Sequence, residues 1–136
     1  MTPAGFAAAA GALVGCRFRL HGRTPETGLD CVGVAVAALR ACGRPGHLPT
    51  GYRLRTGEWP EADSWAARNG FHPVGGAPQP GDVVMTAPGP GQLHFAVVSP
   101  DPSRIVEAHA SLRKVVLGPL PPDAAIIRHW RLCPTS

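Results

Sequence analysis

The sequence carries four cysteines and six histidines, the residue types best suited to act as nucleophile and base near neutral pH. Cys31 differs from Cys16, Cys42 and Cys133 in its setting: it follows Asp30 at the head of the apolar run 31–42. A thiol in the first turn of a helix meets free backbone N–H groups and a partial positive charge, and both favour the thiolate. The same N–H groups could hold the oxyanion of an acyl intermediate. The competing reading is a small buried core residue, the usual place of a free cysteine. Cys42, in the last turn, reads as core, and Cys16 and Cys133 as inert thiols.

A cysteine nucleophile needs a base within hydrogen-bond reach. If residues 100–103 form a hairpin loop, Ser99 faces Arg104, and counting outward sets His94 directly opposite His109. Opposed residues share one face of a sheet, so one imidazole could act as base while the other fixes its tautomer and tilt. Phe95, Val97, Val106 and Ala108 then form an apolar layer on the other face. Two unrelated strand histidines remain the alternative, and a one-residue slip in register would separate them. His21 and His47 fall in loops and His72 and His129 in strands, where structural or exposed roles are the ordinary expectation. A metal held by His94, His109 and a third ligand such as Cys31 is compatible with these residues, but no CxxC pair or zinc-module spacing calls for one. No metal or cofactor is expected. Residues 88–91 lack the Lys and Ser/Thr of a phosphate cradle, and no Gly-x-Ser-x-Gly elbow occurs.

The elements that would position these groups are legible in outline. Pro3 to Val14 reads as a helix ended by Gly15, and Cys16 to Gly28 as a loop. A second helix follows, with Asp30 as N-cap and Gly43 just past its end. It is apolar almost all round, which predicts burial. Residues 44–60 read as loop, and Glu61 to Asn69 as a short helix closed by Gly70. From Phe71 onward the pattern turns to strands: 83–85 after the turn Pro80-Gly81-Asp82, then 93–99, 104–110, 114–117 and 125–132. Helices first and an antiparallel sheet after them predict an α+β fold. At 136 residues, one domain over 1–136 is expected.

Hydrophobic residues make up 44% of the chain and charged residues 16%, which excludes a disordered chain and a charged coiled coil. The net charge of +4 suits nucleic acid, an anionic membrane or an acidic polymer as partner, and a solvated Arg-rich surface is the ordinary reading. The basic residues are dispersed. The densest group, Arg17, Arg19 and Arg23, is interleaved only by Phe18, so nucleic acid is not expected as a partner. No stretch reads as a membrane span. The Ala-rich start lacks the basic region of a signal peptide, and Leu13-Val14-Gly15-Cys16 reads as a chance match to a lipoprotein box. A cytoplasmic or particle-associated protein is the expectation.

Taken in order, several segments resemble the NlpC/P60 family of papain-like cysteine peptidases. Residues Gly15 to Gly22 resemble the family's opening segment. Gly28-Leu29-Asp30-Cys31-Val32-Gly33 resembles its Asp-Cys-Ser-Gly nucleophile motif, with Val32 in place of Ser. Pro80-Gly81-Asp82-Val83-Val84 is similar to its Pro-Gly-Asp-Leu-Val strand start. Leu93 to Val98 resembles the strand of the catalytic His, and Ile105 to Ala110 the strand of the third polar residue. Ile127 to Arg131 resembles the closing strand. The resemblance implies a papain-like α+β fold with N-terminal helices packed on an antiparallel sheet. It implies Cys31 as nucleophile, His94 as proton carrier and His109 as the group that orients His94. It further implies cleavage of peptide bonds next to D-glutamate in peptidoglycan stems. The wording of the motifs looks most like versions encoded with phage tails or gene transfer agents, which implies a particle protein as partner. Phe18 stands where many members have a Tyr whose hydroxyl helps at the nucleophile. An amidase or acyltransferase on another substrate, and a catalytically weak tail module of the same fold, remain open.

Overall fold

The computed structural model describes residues 1–49, 59–87 and 93–134. The expected turn at 88–91 and most of the loop 44–60 lie outside them. Helix α1 spans Pro3–Gly11, with Pro3 at its start and the Thr2 hydroxyl accepting from the Gly5 amide at 3.1 Å. It ends before the expected Val14. The last turn tightens there, with Leu13 N–H on the Ala10 carbonyl, and Gly15 N–H turns away to the Val115 carbonyl at 2.8 Å. Helix α2 spans Cys31–Ala41 and α3 spans Ala62–Arg68.

Helix α2 is buried along its length from Cys31 to Leu39. Its valines each cost a few tenths of a kcal/mol in helix propensity, up to about 0.7. Burying a Val or Leu side chain gains roughly 2 kcal/mol, so packing decides the conformation. Asp30 caps the helix, and Gly43, at φ 84°, follows its end.

The strands are β1 (Arg23–Thr24), β2 (Gly28–Leu29), β3 (Phe71–Pro73), β4 (Val83–Thr86), β5 (His94–Val98), β6 (Arg104–His109), β7 (Lys114–Pro119) and β8 (Ile126–Leu132). The last six form one sheet in the order β3-β8-β4-β5-β6-β7, with every pairing antiparallel. The β1–β2 pair was not expected; two-residue strands are too short to show a period. One face of the sheet contributes Val83, Met85, Phe95, Val97, Val106, Ala108 and Val115 to the core that it shares with α2, which packs on β5 and β6. The opposite face carries Val84, Ala96, Val98 and Ile105, partly covered by Leu120 and Ile126.

The Pro-Gly-Asp turn before β4 has a structural task. A Cβ on Gly81 would strike the Pro3 carbonyl, and its φ is 85°. Asp82 is fully buried and accepts from Arg131 at 2.8 and 2.9 Å, His129 at 2.7 Å and the Gln79 amide at 2.9 Å. Burial pushes its carboxyl up, but Arg131, Gln79 and His129 outweigh that and hold it below the usual carboxylate range. The cluster ties β4 to β8.

Candidate active site

The head of α2 is held by the segment that precedes it. The Asp30 carboxylate accepts from the Gly33 amide at 2.8 Å, the His21 amide at 2.9 Å and Arg23 Nη1 at 3.0 Å. Arg19 N–H reaches the Leu29 carbonyl and Leu29 N–H the Arg17 carbonyl, which draws residues 17–22 across the start of the helix. Gly33 is required by this closeness: a Cβ there would run into the Gly22 carbonyl. Phe18 lies half-buried against the same core. The glycines around Asp30 and Cys31 thus serve close backbone packing.

Strands β5 and β6 pair as Val97↔Val106 and Val98↔Ile105, the register expected from the hairpin. The ladder does not continue to His94 and His109. Helix α2 packs against both strands, and the Cys31 sulfur takes a hydrogen bond from the Phe95 amide on β5. Amides of Val32 and of Cys31 itself also reach the sulfur.

Cys31 is 6% exposed, and burial pushes its thiol from an ordinary 9.0 up to about 12, with the Asp30 charge adding to the rise. The amide hydrogen bonds work against this rise without cancelling it. Desolvation and the neighbouring carboxylate thus oppose the pull of the helix start toward a thiolate.

By alternation, His94 projects to the face of Ala96 and Val98, away from α2. Its Nε2 lies 3.6 Å from Glu107 Oε1, with the His94 side chain 31% and that of Glu107 15% exposed. Among the described residues no hydrogen bond joins the His94 ring to the Cys31 sulfur. The two are nonetheless neighbours through the backbone. The sulfur accepts from the amide of Phe95, the residue that follows His94. His109 is half-buried, its Nδ1 accepts from the Leu112 amide at 3.2 Å, and its cross-strand partner is Lys114. The structure thus brings Cys31 to the backbone of His94 and pairs the ring with Glu107 rather than His109. Glu107 was missed in the sequence. It sits two residues before His109 on the same face, so the diagonal neighbours of His94 across the hairpin would have included it.

The remaining thiols lie elsewhere. Cys16 is half-buried, Cys42 points its sulfur to the Gly5 carbonyl at 3.7 Å, and exposed Cys133 lies 3.0 Å from His72 Nδ1. No group of three or more potential ligands able to hold a metal ion occurs among the described residues. No described helix is long and apolar enough to cross a membrane. A cleft of about 310 Å³ between Val74, Gly76, Ile126 and Arg128 includes none of Cys31, His94 and Glu107 in its lining.

No protein-family model matches this chain, and no curated protein sequence does. Solved structures do. The NlpC/p60 domain of the peptidoglycan hydrolase SagA matches with 19% identity over 88% of this chain and 90% of that one, at a TM-score of 0.59. The peptidoglycan hydrolase RipB from Mycobacterium tuberculosis matches with 19% identity over 95% of this chain and 63% of that one, at 0.60. The P60 domain of an antigen from M. avium subspecies paratuberculosis matches with 18% identity over 96% and 93%, at 0.58. Likeness at this level of identity establishes the fold, an α+β fold of the NlpC/P60 kind. None of these names is that of a phage-tail or gene-transfer-agent protein, and that part of the sequence resemblance draws no support from them.

Proposed function

We propose, from this NlpC/P60-like fold, that the chain is a cysteine peptidase acting on peptide bonds of peptidoglycan stems, with Cys31 as nucleophile and His94 as base. The observation that carries the reading is the placement of the Cys31 sulfur. It lies at the head of a buried helix, against the amide of the residue after His94. The thiol attacks the scissile carbonyl as its proton passes to His94. Amides at the head of α2 receive the oxyanion. Glu107 beside the ring holds the imidazole in orientation and stabilises the imidazolium. His94 then protonates the leaving amine, and a water activated by the same ring releases the acyl-enzyme. Glu107 takes the orienting role that the resemblance gave to His109. The test is hydrolysis of purified stem peptides containing D-glutamate. Wild type cleaves, and Cys31→Ala lowers the rate by at least about a thousandfold. Cleavage by Cys31→Ala at the wild-type rate removes the assignment.

One set of observations favours a second reading, a binding module that keeps the fold without turnover. The Cys31 thiol is held high, the His94 ring faces Glu107, and Phe18 lacks a hydroxyl. That reading predicts stem-peptide binding with no cleavage at any pH between 5 and 10.

A further inference from the structure

Asp30 stands next to Cys31 at the head of α2, and its carboxylate is 1% exposed. The side chain of Arg23, from β1, reaches it and is itself 18% exposed. Arg23 Nη1 donates both to Asp30 Oδ1 and to the Gly22 carbonyl, each at 3.0 Å. The pair is largely out of water, unlike the exposed ion pairs that contribute little. Removing one partner of such a pair leaves a buried charge uncompensated.

The first turn of α2 presents the amides of Cys31, Val32 and Gly33 ahead of Val34, whose N–H makes the bond to the Asp30 carbonyl. A capping side chain can take the second or the third of these amides. Asp30 takes the third, Gly33, at 2.8 Å, and the Cys31 and Val32 amides reach the sulfur. A swing of the carboxylate to Val32 would take a donor from the sulfur. Arg23 on Oδ1 and the His21 amide on Oδ2, at 2.9 Å, oppose that swing. The Gly22 carbonyl that Arg23 also holds lies close against Gly33.

The charges around the sulfur point the same way. Of the elements packed on α2, α1 and β2 carry no titratable side chain, β5 carries His94, and β6 carries Arg104, Glu107 and His109. The segment before β1 carries Arg17, Arg19 and His21. The charge that lifts the thiol is that of Asp30. A guanidinium bonded to that carboxylate offsets it.

We infer that Arg23 is a positioning residue for the proposed nucleophile: its bond to Asp30 keeps the carboxylate on Gly33 and leaves the Cys31 and Val32 amides to the sulfur. The catalytic consequence rests on the peptidase reading; the effect on the thiol rests on the hydrogen bonds alone.

Iodoacetamide labelling of the full chain over a range of pH, read by peptide mass spectrometry, tests this without turnover, with exposed Cys133 as internal standard. Arg23→Gln lowers the labelling rate of Cys31 about tenfold at pH 9 and displaces its pH profile upward, while the Cys133 rate holds. Arg23→Lys keeps a charge at the carboxylate and stays within about threefold of wild type; it remains a test if the Gln variant does not fold. In a chain carrying Asp30→Asn, whose amide oxygen can still cap Gly33, Arg23→Gln changes the rate by less than about threefold, because Arg23 acts through the carboxylate. An unchanged profile in Arg23→Gln, a tenfold loss in Arg23→Lys, or a tenfold loss that persists beside Asp30→Asn overturns the inference. So does faster labelling of Cys31 in Arg23→Gln, which would make Arg23 a latch over a buried thiol. Absence of stem-peptide cleavage by wild type alongside the expected labelling rates refutes the peptidase reading and leaves the role of Arg23 at the thiol standing.

Discussion

A thiol held up to about 12 is almost entirely protonated at pH 7.5. Cys31 should therefore react with iodoacetamide far more slowly than exposed Cys133 at that pH, and its rate should climb steadily as pH rises toward 12. Peptide mass spectrometry of partly labelled protein reads this directly. Preferential labelling of Cys31 at pH 6 would mean a preformed thiolate–imidazolium pair instead. The roles of Glu107 and His109 separate by kinetics. Glu107→Gln should lower kcat roughly 10- to 100-fold, because the imidazolium loses its carboxylate. His109→Gln should leave kcat within about twofold. Equal loss of kcat in both variants would restore His109 to the orienting position.

At the scale of elements, the sharpest case is Gly33. Propensity alone favours alanine over glycine inside a helix by about 1 kcal/mol. Packing reverses the sign: the added methyl would meet the Gly22 carbonyl, so Gly33→Ala should destabilise by roughly 1–3 kcal/mol, seen as a lower thermal midpoint. Helix α2 and the β5–β6 register were readable before any coordinates, because a cap, a closing glycine and a hairpin loop are local signals. The point where the β5–β6 ladder stops was not readable. It is a property of the assembled sheet against which α2 packs, which no window of sequence contains. The end of α1 escaped for a similar reason, since Gly15 leaves the helix for a carbonyl on β7. Glu107 does not stand out in the sequence because its contact to His94 runs along a diagonal and not directly across the strands.

For the whole molecule, two buried ionisable groups set opposite limits of stability. Asp82 has its carboxyl held low, so the unfolded chain binds its proton more readily. Its contribution is present above the ordinary carboxylate pKa of about 3.9 and is lost as pH falls through the lower folded value. Asp82→Asn should cost about 3 kcal/mol, because Arg131 and His129 lose their shared counter-charge between β4 and β8. Cys31 acts at the other end. Its folded value lies above the ordinary 9.0, so its contribution is full below that pH and fades as pH rises to about 12. Chemical denaturation across pH 8–12 should show this decline in wild type and a flatter profile in Cys31→Ala. For the peptidoglycan substrate proposed above, the net charge of +4 predicts capture that weakens as ionic strength rises.

The most direct test is acid-quenched mass spectrometry of the wild-type chain mixed with a D-glutamate-containing stem peptide. An acyl group on the Cys31 peptide, present in wild type and absent in His94→Ala, is the predicted result. Turnover of the peptide with Cys31 unmodified at every quench time, or an acyl group on another cysteine, would contradict it.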